Sequence, residues 1–553
     1  MTNSSSKENT PHPQGPDLNR QAEEQPQAQA QVEETENIRE MLQSILIAFV
    51  LAFVFRAFIV EAFVIPTGSM APTLLGKHLR FQSPETGYNF TVNPHDYYPS
   101  TDPKPLQTVD VVDPMAGDRL SAVQEKLHSG DRILVLKYIY SLFKPERFDV
   151  IVFKNPHGPA ENYIKRLIGL PGEDIWLVDG DVYARPSSEK DALDTPWQIQ
   201  RKPLHVQREV WQPVYHSQYH PVHEELPGAP PFRPRWKAVE GKWQIEGRSS
   251  FICDSADYSA IVFDPPGGIT DYTCFDQTAV AYNRRRLFNV ADVRVAAGIK
   301  PQQAGLQTTI DLNARGHDFQ AVVGNGSATL RMRGDNEKEW KVLAQTSAKL
   351  LVPGRVTNLE FWHVDQSLSL FINGRRVAYA EYDWQPAERF NFATGSTFQQ
   401  VREIEKRRLS INGRRYNALL DNSMQPKPAV ISWSFTGSPV RMFRVEVDRD
   451  LYYRPTSYPS GEGPALATHP DNIARLNRDE FFPLGDNSAL SNDGRTWDPP
   501  DDWVAYRVDP KRGVVNRRLL MGKAFFVYWP SMQPFRSGGK LLVPDFGRMR
   551  FIR

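Results

Sequence analysis

At 553 residues the chain is too long for one ordinary hydrophobic core, so two or more domains are expected. Its 66 Lys and Arg against 65 Asp and Glu leave a formal net charge of +1, which argues against a general nucleic-acid binder. The 44 prolines and 35 glycines point to a loop-rich, mostly β body.

Residues 1–37 are polar, rich in Gln and Glu and without apolar periodicity, and read as a disordered tail. Residues 38–60 follow as a candidate transmembrane helix. The apolar run from Met41 to Val60 has about the 20 residues a helix needs to span a bilayer. Arg56 sits near its C-terminal end, where a long side chain snorkels to the interface. A cleaved secretory signal fits poorly, because the polar leader is long and no A-x-A site follows. A buried core helix fits less well, since the run is apolar on all faces. Arg39 at the membrane edge favours a cytoplasmic N-terminus and an extracytoplasmic remainder.

Directly beyond the anchor lies FVIPTGSMAPTL, Phe63 to Leu74. Pro66 and Pro72 fix the backbone on either side of Gly68-Ser69-Met70, which holds one hydroxyl in a set direction. A serine is a poor nucleophile without a base to take its proton, and alone this stretch reads as a proline-bounded turn. ERFDVIVFKNP (Glu146 to Pro156) reads as a strand, and NYIKRLIGLPGE follows it. In a strand Lys165 and Leu167 face one side, and Ile164, Arg166 and Ile168 the other. Arginine does not give up its proton, but a buried lysine does. Lowering a lysine from about 10.4 to about 7–8 takes roughly 3–5 kcal/mol of desolvation, which an apolar pocket supplies. A third stretch, FFPLGDNSALSNDGRTW (Phe481 to Trp497), is a dense cluster of small, acidic and amide residues suited to tight turns.

In this order after an anchor, the three stretches resemble type I signal peptidase (leader peptidase), a Ser/Lys membrane protease, over less than half of the chain. The resemblance implies an antiparallel β catalytic core at residues 61–180, with a smaller insertion at about 77–128, completed by residues 476–553. It implies Ser69 as nucleophile and Lys165 as general base. Thr67 falls where the family's oxyanion hole has a hydroxyl, which acts with the Ser69 N–H, and Met70 lies beside the nucleophile as a pocket residue. Ser491 matches a serine that orients the lysine, and Asp493 and Arg495 match a supporting ion pair. Gly485, Asp486 and Asn487 match the turn that opens that box. Two positions depart from the pattern: Gly494 stands where the family has serine, and Ser488 where arginine is common. The implied reaction is signal-peptide removal from secretory preproteins at the bacterial inner membrane, with membrane lipid as a further partner and no metal or cofactor. Ser69 lies nine residues beyond Val60, so it is no more than about 30 Å from the bilayer edge.

Residues 181–475 form an inserted region. Residues 181–250 are expected to be irregular and proline-rich. They include His216, His220, His223 and Glu224, which read better as solvated loop residues than as metal ligands. From about Phe251 to Val447 strands dominate, with Asn325-Gly326, Asn373-Gly374 and Asn412-Gly413 as candidate hairpin turns. A β-sandwich over residues 251–450 is expected. Leu359 to Tyr379 weakly resembles concanavalin-like folds; Trp362 and Trp384 read equally as a sugar platform or as core. Cys253 and Cys274 are the only cysteines, and either a disulfide or two buried thiols fits them. The competing functional reading is a catalytically degenerate, membrane-anchored binding protein whose sandwich is the working part. A self-cleaving Ser/Lys peptidase of the repressor type is disfavoured by the anchor.

Overall fold

The computed structural model describes residues 38–54, 59–94, 108–122, 127–188, 190–193, 196–223, 225, 231–246, 249–279, 286–347, 351–413, 415–534 and 542–553. The tail over 1–37, Arg56 and Glu224 lie outside them. The described residues up to Glu61 and those from Ala62 onward form two separate units. In the first, a helix covers residues 38–54 with its apolar side chains exposed. Among the described residues no helix is long and apolar enough to cross a membrane. The expected helix over 38–60 is therefore described only to residue 54, short of the roughly 20 residues that a span requires.

The second unit is mostly β. The part outside the large insertion is built on a sheet in which Arg132–Leu136, Leu520–Trp529, Val150–Lys154, Asn162–Gly169, Glu480–Leu484 and Val515–Asn516 lie side by side. Alternation along VIVFK divides two cores. Val150 and Val152 pack with Ile65, Met70, Leu74 and Ile133. Ile151 and Phe153 pack on the other face with Leu167, Phe481, Trp497 and Val515, the period-2 pattern of a strand buried on both sides. Asn162–Gly169 pairs antiparallel with Glu480–Leu484 through Leu167–Pro483 and Arg166–Leu484. That pairing brings Lys165 beside the turn that begins at Gly485.

Glu173–Val178 and Asp181–Pro186 form a second hairpin over Asp179-Gly180, both with positive φ (52° and 89°), as a primed turn requires. Ala474–Arg475 pairs back onto Glu173–Val178, so the inserted region leaves and returns on neighbouring strands. The insertion is a sandwich of an eight-stranded and a seven-stranded sheet around one core that includes Trp433, Phe319 and Phe361. Burying each such aromatic contributes about 2–3 kcal/mol. Asn373-Gly374 and Asn325-Gly326 close hairpins with positive φ at both residues.

Asn412-Gly413 does not close a hairpin. It ends a helix, Phe398–Asn412, with Gly413 as a left-handed cap. That helix and Pro386–Thr394 interrupt the expected run of strands, and each starts with a reciprocal capping box, Gln385 with Glu388 and Thr397 with Gln400. Residues 181–250, expected to be irregular, supply Gln212–His216, Trp236–Glu240 and Trp243–Glu246 to the edges of the two sheets. Trp362 is buried, and Trp384 packs half-buried against the sandwich core; neither is an exposed platform.

Buried ion pairs join the sandwich to the second hairpin. Asp179, in the second hairpin, accepts from Arg315 at 2.7 and 3.0 Å and pairs with Arg389 at 2.8 Å. Within the inserted region itself, Lys202 bridges Asp365 and Asp450 at 2.6 and 2.8 Å. The smaller insertion folds as two hairpins, Leu79–Gln82 with Asn89–Val92 and Val109–Val112 with Arg119–Ala122. Their apolar faces pack together and against Cys274. Both cysteines are free thiols, and burial pushes the Cys274 thiol up to about 12. A thiol reagent at pH 8 is therefore expected to label neither cysteine of the native protein within minutes, and both after unfolding without reductant. A denatured count of zero would reveal a disulfide and refute the free-thiol assignment.

Candidate active site

Ser69 is the middle residue of a single 3-10 turn, Gly68–Met70, closed by the Ala71 N–H on the Gly68 carbonyl at 3.0 Å. The turn is anchored from beneath by Met70, which is fully buried in the core between the turn and the sheet. Met70 thus anchors the turn to the core. Thr67 precedes the turn in extended conformation and is exposed, while Ser69 is half-buried.

Asn487 holds the turn from the other side. Its backbone N–H donates to the Ser69 carbonyl at 3.1 Å, and its side-chain amide donates to the Gly68 carbonyl at 3.2 Å. Gly485 lies between these parts. A Cβ there would stand 2.2 Å from Ser491 Oγ and 2.4 Å from the Ser69 carbonyl oxygen, so only glycine lets the two segments approach this closely.

Lys165 is buried on the strand that abuts the serine turn. Its Nζ donates to Ser491 Oγ at 3.2 Å, and Ser491 is itself fixed by its N–H on the Asn487 carbonyl at 2.9 Å. Burial lowers Lys165 to about 8; Asp493 opposes that fall and Arg495 assists it. Against the ordinary lysine value, the shift corresponds to about 3 kcal/mol of disfavour for the ammonium. Asp493 and Arg495 pair at 2.9 Å with both side chains buried. Burial works to raise the Asp493 carboxyl, but Arg495, Lys165 and the Gly485 N–H at 3.0 Å hold it below the ordinary value.

Asp486 makes a bidentate pair with Arg166, both bonds 2.7 Å and both side chains fully buried. Sequence reasoning placed Asp486 in a turn and missed this partner. The available signal was the strand alternation, which puts Arg166 on the face opposite Lys165. Also missed were Phe275 and Asp276 of the insertion, which reach the serine turn; no periodicity in that loop marks them.

The two departures from the family pattern have local causes. A Cβ at Gly494 would stand 2.7 Å from the Gly513 carbonyl oxygen and 2.8 Å from the Phe482 ring. Ser488 Oγ accepts from Arg495 at 2.8 Å and from the Arg454 N–H at 3.1 Å, and its carbonyl accepts from Arg495 at 2.9 Å.

The histidines do not converge. His216 pairs with Asp448 at 3.1 Å beside Arg294, which also engages Glu446; that guanidinium supplies the positive charge a metal would bring. His223 is exposed against Glu85. A second acidic group, Asp181, Asp292 and Asp365, is engaged by Arg389 and Lys202.

The sequence model of the family described as signal peptidase, peptidase S26, matches residues 38–116 and 111–202. Signal peptidase I of Rickettsia bellii is 30% identical over 141 residues, 26% of this chain and 37% of that protein. Its counterpart in Rickettsia massiliae is 32% identical over 142 residues, 25% of this chain and 40% of that protein. The chain thus spans about two fifths of the length of these relatives. Among solved structures, a carbohydrate binding module from Bacillus subtilis overlaps 39% of this chain and 95% of its own, at 9% identity and a TM-score of 0.23. The matched segments include both Ser69 and Lys165, so the likeness to the signal peptidase, peptidase S26, family falls on the residues of the candidate site.

Proposed function

We propose that the protein is a membrane-bound serine endopeptidase that removes N-terminal signal peptides from secretory preproteins. The observation that carries this reading is the state of Lys165: buried, lowered to about 8, bonded to Ser491 and set on the strand beside the serine turn. Neutral Lys165 takes the proton of the Ser69 hydroxyl as that oxygen attacks the scissile carbonyl. The Ser69 N–H and the Thr67 hydroxyl receive the oxyanion. Lys165 then gives its proton to the leaving amine, leaving an acyl-enzyme on Ser69. A water molecule, deprotonated by the same lysine, hydrolyses that ester. Ser491 orients the amine, and Asp493 with Arg495 holds the Gly485 turn in place. In this reading the apolar stretch over 38–60 anchors the chain, N-terminus cytoplasmic, so that the serine meets cleavage sites as they leave the bilayer.

The rival reading, a degenerate binding protein, leaned on Gly494 and Ser488. Both are fitted to their surroundings and neither displaces Ser69, Lys165 or Ser491, so the enzymatic reading is preferred.

In detergent, wild-type protein is expected to cut a preprotein after its small-residue site. Ser69→Ala should abolish cutting, Lys165→Ala should reduce kcat by at least about 100-fold, and Ser491→Ala by about 10- to 100-fold. Activity surviving both of the first two substitutions would remove the dyad assignment. Because the lysine must be uncharged to act, kcat/KM is expected to rise with pH and level off above about 8. A profile flat from pH 6 to 10 would contradict a lysine base. Restoring the family residue by Gly494→Ser is expected to destabilise the fold by about 1–3 kcal/mol through overpacking against Gly513 and Phe482, read as a lowered Tm.

A further inference from the structure

One short turn of the inserted region reaches into the machinery just described. Cys274–Asp276 forms a 3-10 turn whose two last residues are both buried. Asp276 Oδ1 accepts from the Asn487 side-chain amide at 2.9 Å. The same amide nitrogen donates to the Gly68 carbonyl at 3.2 Å. Its two acceptors are a carboxylate and a carbonyl, so only the nitrogen end of the amide fits between them, and the orientation of Asn487 is fixed by chemistry. An amide with both N–H groups engaged in a buried site is held at a single angle, since turning it would leave buried donors and acceptors unsatisfied.

Phe275 closes the other side. A Cβ on Gly68 would stand 2.2 Å from Phe275 Cε1, so the ring lies flush on the backbone immediately before Ser69. Phe275 packs there with Ala71 and Leu75 of the serine segment. Its carbonyl accepts the Asn93 N–H at 2.5 Å, which ties the turn to the smaller insertion as well. The insertion therefore touches the nucleophile's segment by a hydrogen-bonded route through Asn487 and by direct packing on Gly68.

We propose that this turn is a positioning element for the nucleophile, with Asp276 locking Asn487 against the Gly68 carbonyl and Phe275 fixing the Gly68 backbone. The inference rests on Ser69 being the nucleophile. Asp276 is a positioning residue; no proton of the reaction passes through it. Its effect belongs in the chemical step, because a misplacement of about 1 Å in a reacting group costs about 100-fold in rate. It does not belong in preprotein affinity or in the titration of Lys165, whose hydrogen-bond partner is Ser491.

The test compares wild type, Ser69→Ala, Asp276→Ala and Asp276→Asn on one preprotein in detergent, with kcat and KM separated and Tm recorded. Asp276→Ala is expected to lower kcat by about 10- to 100-fold, with KM within about twofold and the pH limb unmoved. Asp276→Asn is expected to recover most of kcat, since its side-chain oxygen still accepts from Asn487. If Asp276→Ala fails to fold, Phe275→Leu serves in its place; it keeps an apolar cover but releases Gly68, and should also lower kcat with KM unchanged. Wild-type kcat in the folded variant, a change confined to KM, or an Asn variant as poor as the Ala variant would overturn the proposal. Wild type no more active than Ser69→Ala would be a different failure, that of the peptidase reading, and would take this inference with it.

Discussion

In the proposed reaction Lys165 takes a proton from Ser69 only when it is itself uncharged, and a lysine is kept near that state by removing both water and unbalanced carboxylates from around it. Burial supplies the first condition. The second is harder, because Asp486 and Asp493 both lie close enough to favour the ammonium. Each is matched to its own guanidinium: Asp486 to Arg166 and Asp493 to Arg495, in buried pairs. With those charges balanced in place, the hydrogen-bond partner left at Nζ is the hydroxyl of Ser491. An ion pair buried in this way adds little net stability. Its value here is electrostatic isolation of the lysine, and breaking either pair would expose Lys165 to an uncompensated charge.

The backbone follows from that requirement. Strand alternation puts Lys165 and Arg166 on opposite faces, so one residue meets Ser491 while its neighbour neutralises Asp486. Antiparallel pairing with Glu480–Leu484 then delivers the Gly485 turn at the level of the lysine. The long chain between these strands does not upset the register, because the cost of closing a loop grows only slowly with its length. Its ends meet as paired strands at Ile175 and Ala474, and Asp179 with Arg315 and Arg389 sets the sandwich in a defined place.

Much of the site was legible because the chemistry is local in sequence. The serine turn, the lysine strand and the small-residue box each carry their own signal, and strand periodicity separates Lys165 from Arg166. The Asn373-Gly374 and Asn325-Gly326 hairpins were legible for the same reason, since a primed turn demands residues that tolerate positive φ. Asn412-Gly413 misled because asparagine and glycine suit a helix C-terminus as well as they suit a hairpin. The capping boxes at Gln385 and Thr397 decided that case and were overlooked in a region dominated by alternation. Phe275 and Asp276 were not legible at all. They act across roughly 200 residues of chain, and nothing in a loop sequence announces which backbone it will meet.

The departures from the family pattern are best understood together with the insertion. Ser488 engages Arg495 but also receives the N–H of Arg454, a residue just beyond the sandwich that is itself paired with Asp271. Gly494 is small because Gly513 and Phe482 press on it. Asn487 answers to Asp276, from the insertion, and to Gly68, from the serine turn. The support around the candidate site is thus shared between the strands that carry Lys165 and Gly485 and the inserted chain. A sandwich hung on a flexible tether would leave these contacts unmade; one fixed by buried ion pairs and by a buried aromatic on Gly68 sets the frame in which the serine sits. The insertion is accordingly part of the structure that orients the site, whatever its outer faces bind.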